Sequence, residues 1–202
     1  MPQTENKVKY GLKNVHYAIL TENADTGVIT YGTPKRLPGA ISMSLTASTA
    51  RKMLAADDTD YWVAESMASY TGDMNFARIS DEFRADCLGE LSDAHGVKYE
   101  TNVPTTARFA LLFEFDGDQY KTRHVLYNCT ASRPAIAGQT VNPDDGPDPS
   151  QGTETLTITA SARGDTLIKA HCKENDGMTV GDGVVSIYAT WFESVYVPAR
   201  SA

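Results

Sequence analysis

The chain has 202 residues, 41% of them hydrophobic, enough for a single domain whose core needs neither disulfide nor metal. Its 18 Lys and Arg against 26 Asp and Glu leave a net charge of −8, which excludes bulk adhesion to a polyanion, because such affinity comes from cations set on phosphates. Cys87, Cys129 and Cys172 are too sparse for a disulfide framework, no apolar run approaches the roughly 20 residues of a membrane span, and the opening MPQTENKVKYGL lacks the apolar core of a signal peptide, so the expectation is a soluble chain in a reducing cytoplasm.

Residues 1–14 are polar and without period, and read as an arm that orders on assembly. Val15, Tyr17 and Ile19 alternate with His16 and Ala18 as a first strand. Asn23–Gly27 is a turn, Val28–Tyr31 a short strand, and Pro34 and Pro38 bracket an edge segment. Ile41, Met43 and Leu45 alternate with Ser42 and Ser44 as a third strand. The period lapses over 47–60; TARKMLAADD reads as a short helix or as a long hairpin loop. Tyr61–Met67 is a fourth strand. A fifth runs from Tyr70 to Ile79, with Gly72 expected to mark a bulge.

The period then changes to that of a helix over about 80–89. Ser80 is its N-cap, Asp81 and Glu82 suit the positive end of the helix dipole, Phe83, Cys87 and Leu88 share a face, and Gly89 stops it. Residues 91–102 read as a loop. Phe109, Leu111, Phe113 and Phe115 then alternate along a half-buried strand. Asp116-Gly117 is the pair expected for a two-residue turn, and the chain returns through Tyr120–Tyr127. This is the strongest hairpin signal in the chain. Residues 136–152, dense in Pro, Asp and Gly, read as a flexible loop. Leu156, Ile158 and Ala160 mark a strand expected to pair with Leu167–Ala170. Val184–Phe192 reads as a last strand, followed by an extended stretch to Pro198 and a tail of 199–202. The expected architecture is mainly β: one domain over 15–198, an antiparallel β-sandwich or half-open barrel of about nine strands with one short helix and long loops.

Catalytic chemistry finds no pattern to rest on. His124/Cys129 and the adjacent His171/Cys172 lack the paired spacing of a zinc site. Asp144, Asp145 and Asp148 lack the frame of a calcium loop, and Asn128-Cys129-Thr130 is a sequon with no meaning in a chain that is not secreted. No catalytic residue, metal ligand or cofactor is expected. Tyr61/Trp62 and Trp191/Phe192 have the composition of a sugar platform, but paired aromatics in strands more often divide between core and interface.

The run FALLFEFDGD…RHVLYNCTASRP resembles the major tail protein family of long-tailed bacteriophages, the subunit of the tail tube. GLKNVHYAILTE, YGTPKRLPGAISMSL, DEFRADCLGE, TETLTITASAR and WFESVYVP resemble the same family in the same order, so the likeness spans nearly the whole chain. It implies a virion protein, assembled in the host bacterial cytoplasm, whose hexameric rings stack around a tape-measure protein between tail-tip and tail-terminator complexes. The inner sheets of such rings form a channel through which DNA passes without specific binding. It also implies assembly contacts in the arm 8–14 and in the loop 48–60, with the central hairpin Phe109–Tyr127 as the sheet surface used in the ring. The residues concerned are Val8, Lys9, Tyr10, Leu12, Arg51, Lys52, Met53, Leu54, Asp57, Asp58, Tyr61 and Trp62. The alternative reading, from another class, is a monomeric β-sandwich module of a phage particle that binds carbohydrate or a host receptor.

Overall fold

A computed structural model of the chain describes residues 10–56, 59–102, 106–118, 120–136, 152–174 and 186–199, with backbone alone between 50 and 68. The strands in chain order are β1 (Leu12–Glu22), β2 (Ile29–Tyr31), β3 (Lys35–Arg36), β4 (Ala40–Ala56) and β5 (Thr59–Phe76). Helix α1 (Asp81–Leu88) follows, then β6 (Leu91–Ser92), β7 (Lys98–Tyr99), β8 (Phe109–Phe115), β9 (Arg123–Ala131), β10 (Glu154–Ser161) and β11 (Lys169–Cys172). Nine of them form one antiparallel sheet in the order β2-β1-β8-β9-β10-β5-β4, with β3 added to β1 and β11 to β9. The expected mainly-β chain with one short helix is therefore present. The loop expected over 91–102 contains the small β6–β7 hairpin.

β8 is an inner strand of the sheet, between β1 and β9. Its residues Phe109 to Phe113 are all buried, so it is covered on both faces rather than half-buried. Phe109, Leu111 and Phe113 join the main core with Val15 and Tyr17 of β1, Phe76 of β5, and Leu156, Ile158 and Ala160 of β10. Ala110 and Leu112 face the other way, onto Val125, Tyr127 and Trp191. At roughly 1.5–3 kcal/mol for each large apolar side chain, this two-sided burial stabilises the fold substantially.

Helix α1 plugs the main core as its caps foretell. Ser80 is extended, and its hydroxyl accepts from the Phe83 amide at 3.3 Å; Gly89 ends the helix in the left-handed region at φ 73°. Phe83 is fully buried, edge-on to both Tyr17 and Phe109. Asp86 accepts from the Tyr17 hydroxyl at 2.9 Å and from Lys35 at 2.6 Å, tying the helix to β1 and β3. At the other end Glu154 of β10 accepts from Arg84 at 2.7 Å and from the Ile79 amide at 2.6 Å.

Several expectations are corrected. The β8–β9 connection is not a two-residue turn. The ladder stops at Glu114↔Arg123, and the chain turns on Asp118, whose carboxylate accepts from the Tyr120 and Thr122 amides at 3.1 and 3.0 Å. Asp116 and Gly117 do form a turn, closed by the Asp118 amide on the Phe115 carbonyl at 3.2 Å, but they also donate to the carbonyls of Gly11 and Tyr10, prolonging the β1–β8 ladder.

Gly72 is not a bulge. It lies in unbroken ladder between Leu45 and Ile158, and a Cβ there would fall 1.9 Å from the Ser44 carbonyl oxygen. The close approach of β4 to β5, not a kink, requires glycine.

The partner of the segment after β10 also differs. Both edges of β10 are occupied, by β5 and β9, so β11 adds to β9 beyond it, through Lys169↔Leu126 to Cys172↔Arg123.

The described part of the expected last strand, 186–192, is not a strand. Thr190 donates to Ser186, Trp191 to Tyr188 and Ser194 to Thr190, a run of helical turns that lays Trp191 on the sheet.

Two substitutions test this packing by chemical denaturation. Phe83→Ala should cost about 3–5 kcal/mol, as a large aromatic is removed from the junction of helix and sheet. Ser80→Ala should cost only about 1 kcal/mol, the worth of one cap.

Candidate assembly surfaces

The segment 47–60, expected as a loop or short helix, is strand. β4 has 17 residues and β5 has 18, against about 5–6 for an ordinary strand. They pair from Ala40↔Phe76 to Ala56↔Thr59, with register shifts near Ser42, between Ser48 and Thr49, and between Leu54 and Ala55. The fourth and fifth strands expected separately are thus one strand. The cause is tertiary: TARKMLAADD has fair helix propensity, but ladder pairing with β5 overrides it.

The hairpin has two regimes. From Ser69 to Phe76, β5 has β4 on one edge and β10 on the other. From Thr59 to Met67 it pairs with β4 alone among the described residues. Arg51, Lys52, Met53 and Leu54 lie on this outer part of β4, and Tyr61 and Trp62 on that of β5. Asp57 and Asp58 lie outside the described residues, as do Val8 and Lys9 of the arm.

Tyr10 precedes β1, and Leu12 is its first residue. Leu12 pairs with Phe115 and packs against the main core, so it belongs to the body. Tyr10 is 67% exposed and lies over Gly117, where a Cβ would come 2.3 Å from its ring. The next residues, Lys13 and Asn14, hold this corner: Lys13 pairs with Asp116 at 2.8 Å, and Asn14 takes φ 50° at the register shift between Lys13 and His16.

The far face of β8 and β9 is covered by the C-terminal turns. Arg123 anchors them. Its guanidinium lies 3.9 Å from the Tyr188 ring centroid and 4.9 Å from that of Phe192, donates to the Tyr188 carbonyl, and pairs with Glu114 at 3.1 Å. His16 stacks on Phe192, the Tyr127 hydroxyl donates to the Tyr196 carbonyl at 2.7 Å, and the Trp191 indole donates to the His124 carbonyl at 3.4 Å. The pair Trp191/Phe192 is therefore packing, not an exposed platform. Its signal was present: Tyr188, Trp191, Phe192 and Val195 stand at helical spacing.

A third surface is the outward face of β4, β5 and β10. Ser42, Ser44, Thr46, Thr71, Thr155 and Thr157 are exposed there beside Asp73, on the side opposite the main core. They bond across the strands: Thr155 donates to Asn75 and Thr157 to Asp73, both at 2.7 Å, and Asn75 donates to Ser42 at 2.9 Å. These side chains are short, and Asp73 is the one charge among them. On the opposite side Met43, Leu45, Tyr70, Phe113, Phe115 and Lys169 line an open apolar cleft of about 290 Å³.

Among the described residues no group of three or more His, Cys, Asp or Glu stands ready for a metal, and no helix is long and apolar enough to cross a membrane. None of the cysteines is in a disulfide; burial pushes the Cys87 thiol up to about 12 and the Cys129 thiol higher, away from the range of a nucleophile. His171 and Cys172 alternate in exposure along β11, as adjacent strand residues must. The Asp144/Asp145/Asp148 cluster lies outside the described residues. No family model matches the chain, and no curated protein sequence matches it.

The buried phenols give a pH test. Burial, and for Tyr17 the bond to Asp86 in addition, raises Tyr17 and Tyr127 far above the ordinary 10.0; burial raises Tyr31 against the opposing pull of Arg163. A folded-state pKa above the unfolded one gives stability that is whole below pH 10.0 and is lost as pH rises past it. Tyrosinate absorbance should therefore rise in part smoothly near pH 10 from exposed phenols, and in part abruptly, together with the loss of circular dichroism. A single smooth titration of all phenols in a still-folded chain would contradict the burial.

Proposed function

We propose that the chain is the structural subunit of a phage tail tube, self-assembling into stacked hexameric rings that form a channel for DNA delivery. The observation that carries the reading is the β4–β5 hairpin. A monomer gains little by extending a hairpin beyond the strands that support it, because a two-stranded ribbon alone is marginally stable in water. A subunit gains a contact surface. The family strings quoted from the sequence agree in order with this reading, and the hairpin falls where they imply the inter-subunit loop.

The outward face of β4, β5 and β10 suits the channel. It offers a passing polyanion short hydroxyls and one carboxylate, Asp73, and no cation among the residues named above. With few phosphate contacts there is little to hold DNA. In this reading the partners are other copies of the chain, the tape-measure protein, and the tail-tip and terminator complexes, in a particle assembled in the bacterial cytoplasm. The role is structural rather than enzymatic, and no cofactor is needed. The second reading, a monomeric module binding carbohydrate or a receptor, draws on the apolar cleft beside Tyr70 and Lys169. It predicts a stable monomer whose melting temperature rises with ligand.

Negative-stain electron microscopy across a concentration series, with light scattering on the same samples, separates the two. Six-fold rings or hollow tubes are expected. Monomers at every concentration, with or without the tape-measure partner, would contradict the tube and favour the binding module.

A further inference from the structure

We infer that the apolar cleft beside Tyr70 and Lys169 is a binding site for a small aromatic acid, a flat apolar body of fused rings that carries one carboxylate. Four elements of the sheet build it. Met43 and Leu45 come from β4, Tyr70 from β5, Phe113 and Phe115 from β8, and Lys169 from β11.

The volume of about 290 Å³ sets the size of the occupant. A dry apolar cavity of about 150 Å³ in a protein core takes one benzene, so the cleft has room for about two rings. The lining sets the kind. Phe113, Phe115 and His124 form a corner of three rings: His124 stacks on Phe113 at 5.1 Å and 16°, and Phe115 stands edge-on to both, at 5.7 and 5.6 Å. A further ring finds both stacked and edge-on contacts in such a corner. The Met43 thioether adds a sulfur–aromatic contact and adapts to the shape it meets. Met43, Leu45, Tyr70 and Phe115 are only half-buried, so an occupant that covers them gains the hydrophobic term without displacing any part of the core.

Lys169 sets the charge. Its ammonium lies 4.7 Å from the centroid of the Tyr70 ring, and the ladder pairing of Lys169 with Leu126 fixes its strand there. An ammonium seated on an aromatic ring at an apolar cleft is a point charge that a carboxylate can meet while the rings attached to it stay in the cleft. A neutral ligand forgoes that pairing, and a cationic one is repelled. In a chain of net charge −8, a cation placed in this lining is what selects an acid. The site rests on the cleft alone and on neither reading of the chain's role.

Isothermal titration of the full chain with 2-naphthoate, below the concentration at which the chain assembles, tests the site. The neutral analogue of the same shape is 2-naphthamide. One-to-one binding is expected, with the acid about fivefold tighter than the amide, as for a well-placed exposed ion pair. Lys169→Gln should remove that preference and leave the affinity for the amide unchanged. Leu45→Trp should fill the cleft and abolish binding of both. In the unmutated chain the Met43 methyl resonance should shift as 2-naphthoate is added and saturate with the calorimetric Kd, which locates the ligand even where Leu45→Trp fails to fold.

No heat of binding and no Met43 shift up to the solubility limit of 2-naphthoate would overturn the site. Equal affinity for acid and amide, or a preference that survives Lys169→Gln, would overturn the choice of an acid. Binding that leaves the Met43 methyl unmoved, or that is unchanged in a folded Leu45→Trp chain, would put the ligand elsewhere and overturn the site as well.

Discussion

The fold depends on the two-sided burial of the β8–β9 pair. Phe109, Leu111 and Phe113 fill one side against α1 and the inward residues of β1, β5 and β10; Ala110, Leu112, Val125 and Tyr127 fill the other beneath Trp191. A strand buried on both faces needs a lid on each. One lid is the helix, held by Ser80, Asp86 and Glu154. The other is the C-terminal run of turns, held by Arg123 between two aromatic rings and by hydrogen bonds to backbone carbonyls. Arg123 and Glu114 are both largely buried, and each offsets the cost of desolvating the other.

From this centre the sheet becomes progressively less supported. Among the described residues, β10 has strand neighbours on both edges, β5 has them on both edges only as far as Ser69, and β4 has one neighbour throughout. The same ladder that completes the body continues outward as a ribbon with no second strand neighbour among the described residues.

Much of the body was legible because its signals are local. The caps of α1 stand at Ser80 and Gly89, and the alternation of Leu156, Ile158 and Ala160 matches their burial. The misplaced elements are those decided by neighbours far along the chain. Asp116-Gly117 does form a turn, but its amides are taken up by the backbone of Gly11 and Tyr10, about a hundred residues earlier, so the chain runs on and turns again at Asp118 before β9 begins. Leu167–Ala170 had no way to register that both edges of β10 are filled. Gly72 signals an unusual site by its identity alone, and does not say whether the cause is a kink or a close approach. Over the described part of the expected strand 184–192, the spacing of Tyr188, Trp191, Phe192 and Val195 is that of a helical turn, and turns form there. Of the candidate assembly residues, those of β4 and β5 lie together on the hairpin, whereas Leu12 belongs to the core.

Residue-resolved hydrogen exchange on the monomer tests most directly whether the molecule is a rigid β8–β9 centre carrying a ribbon open to partners. The slowest amides should lie in 109–113 and 125–129, exchanging only through global unfolding. Those of 49–56 and 59–67 should exchange orders of magnitude faster, through local opening. Outer-hairpin amides as protected in the monomer as those of β8 would contradict the division, and would place the stability of the hairpin within the subunit rather than between copies.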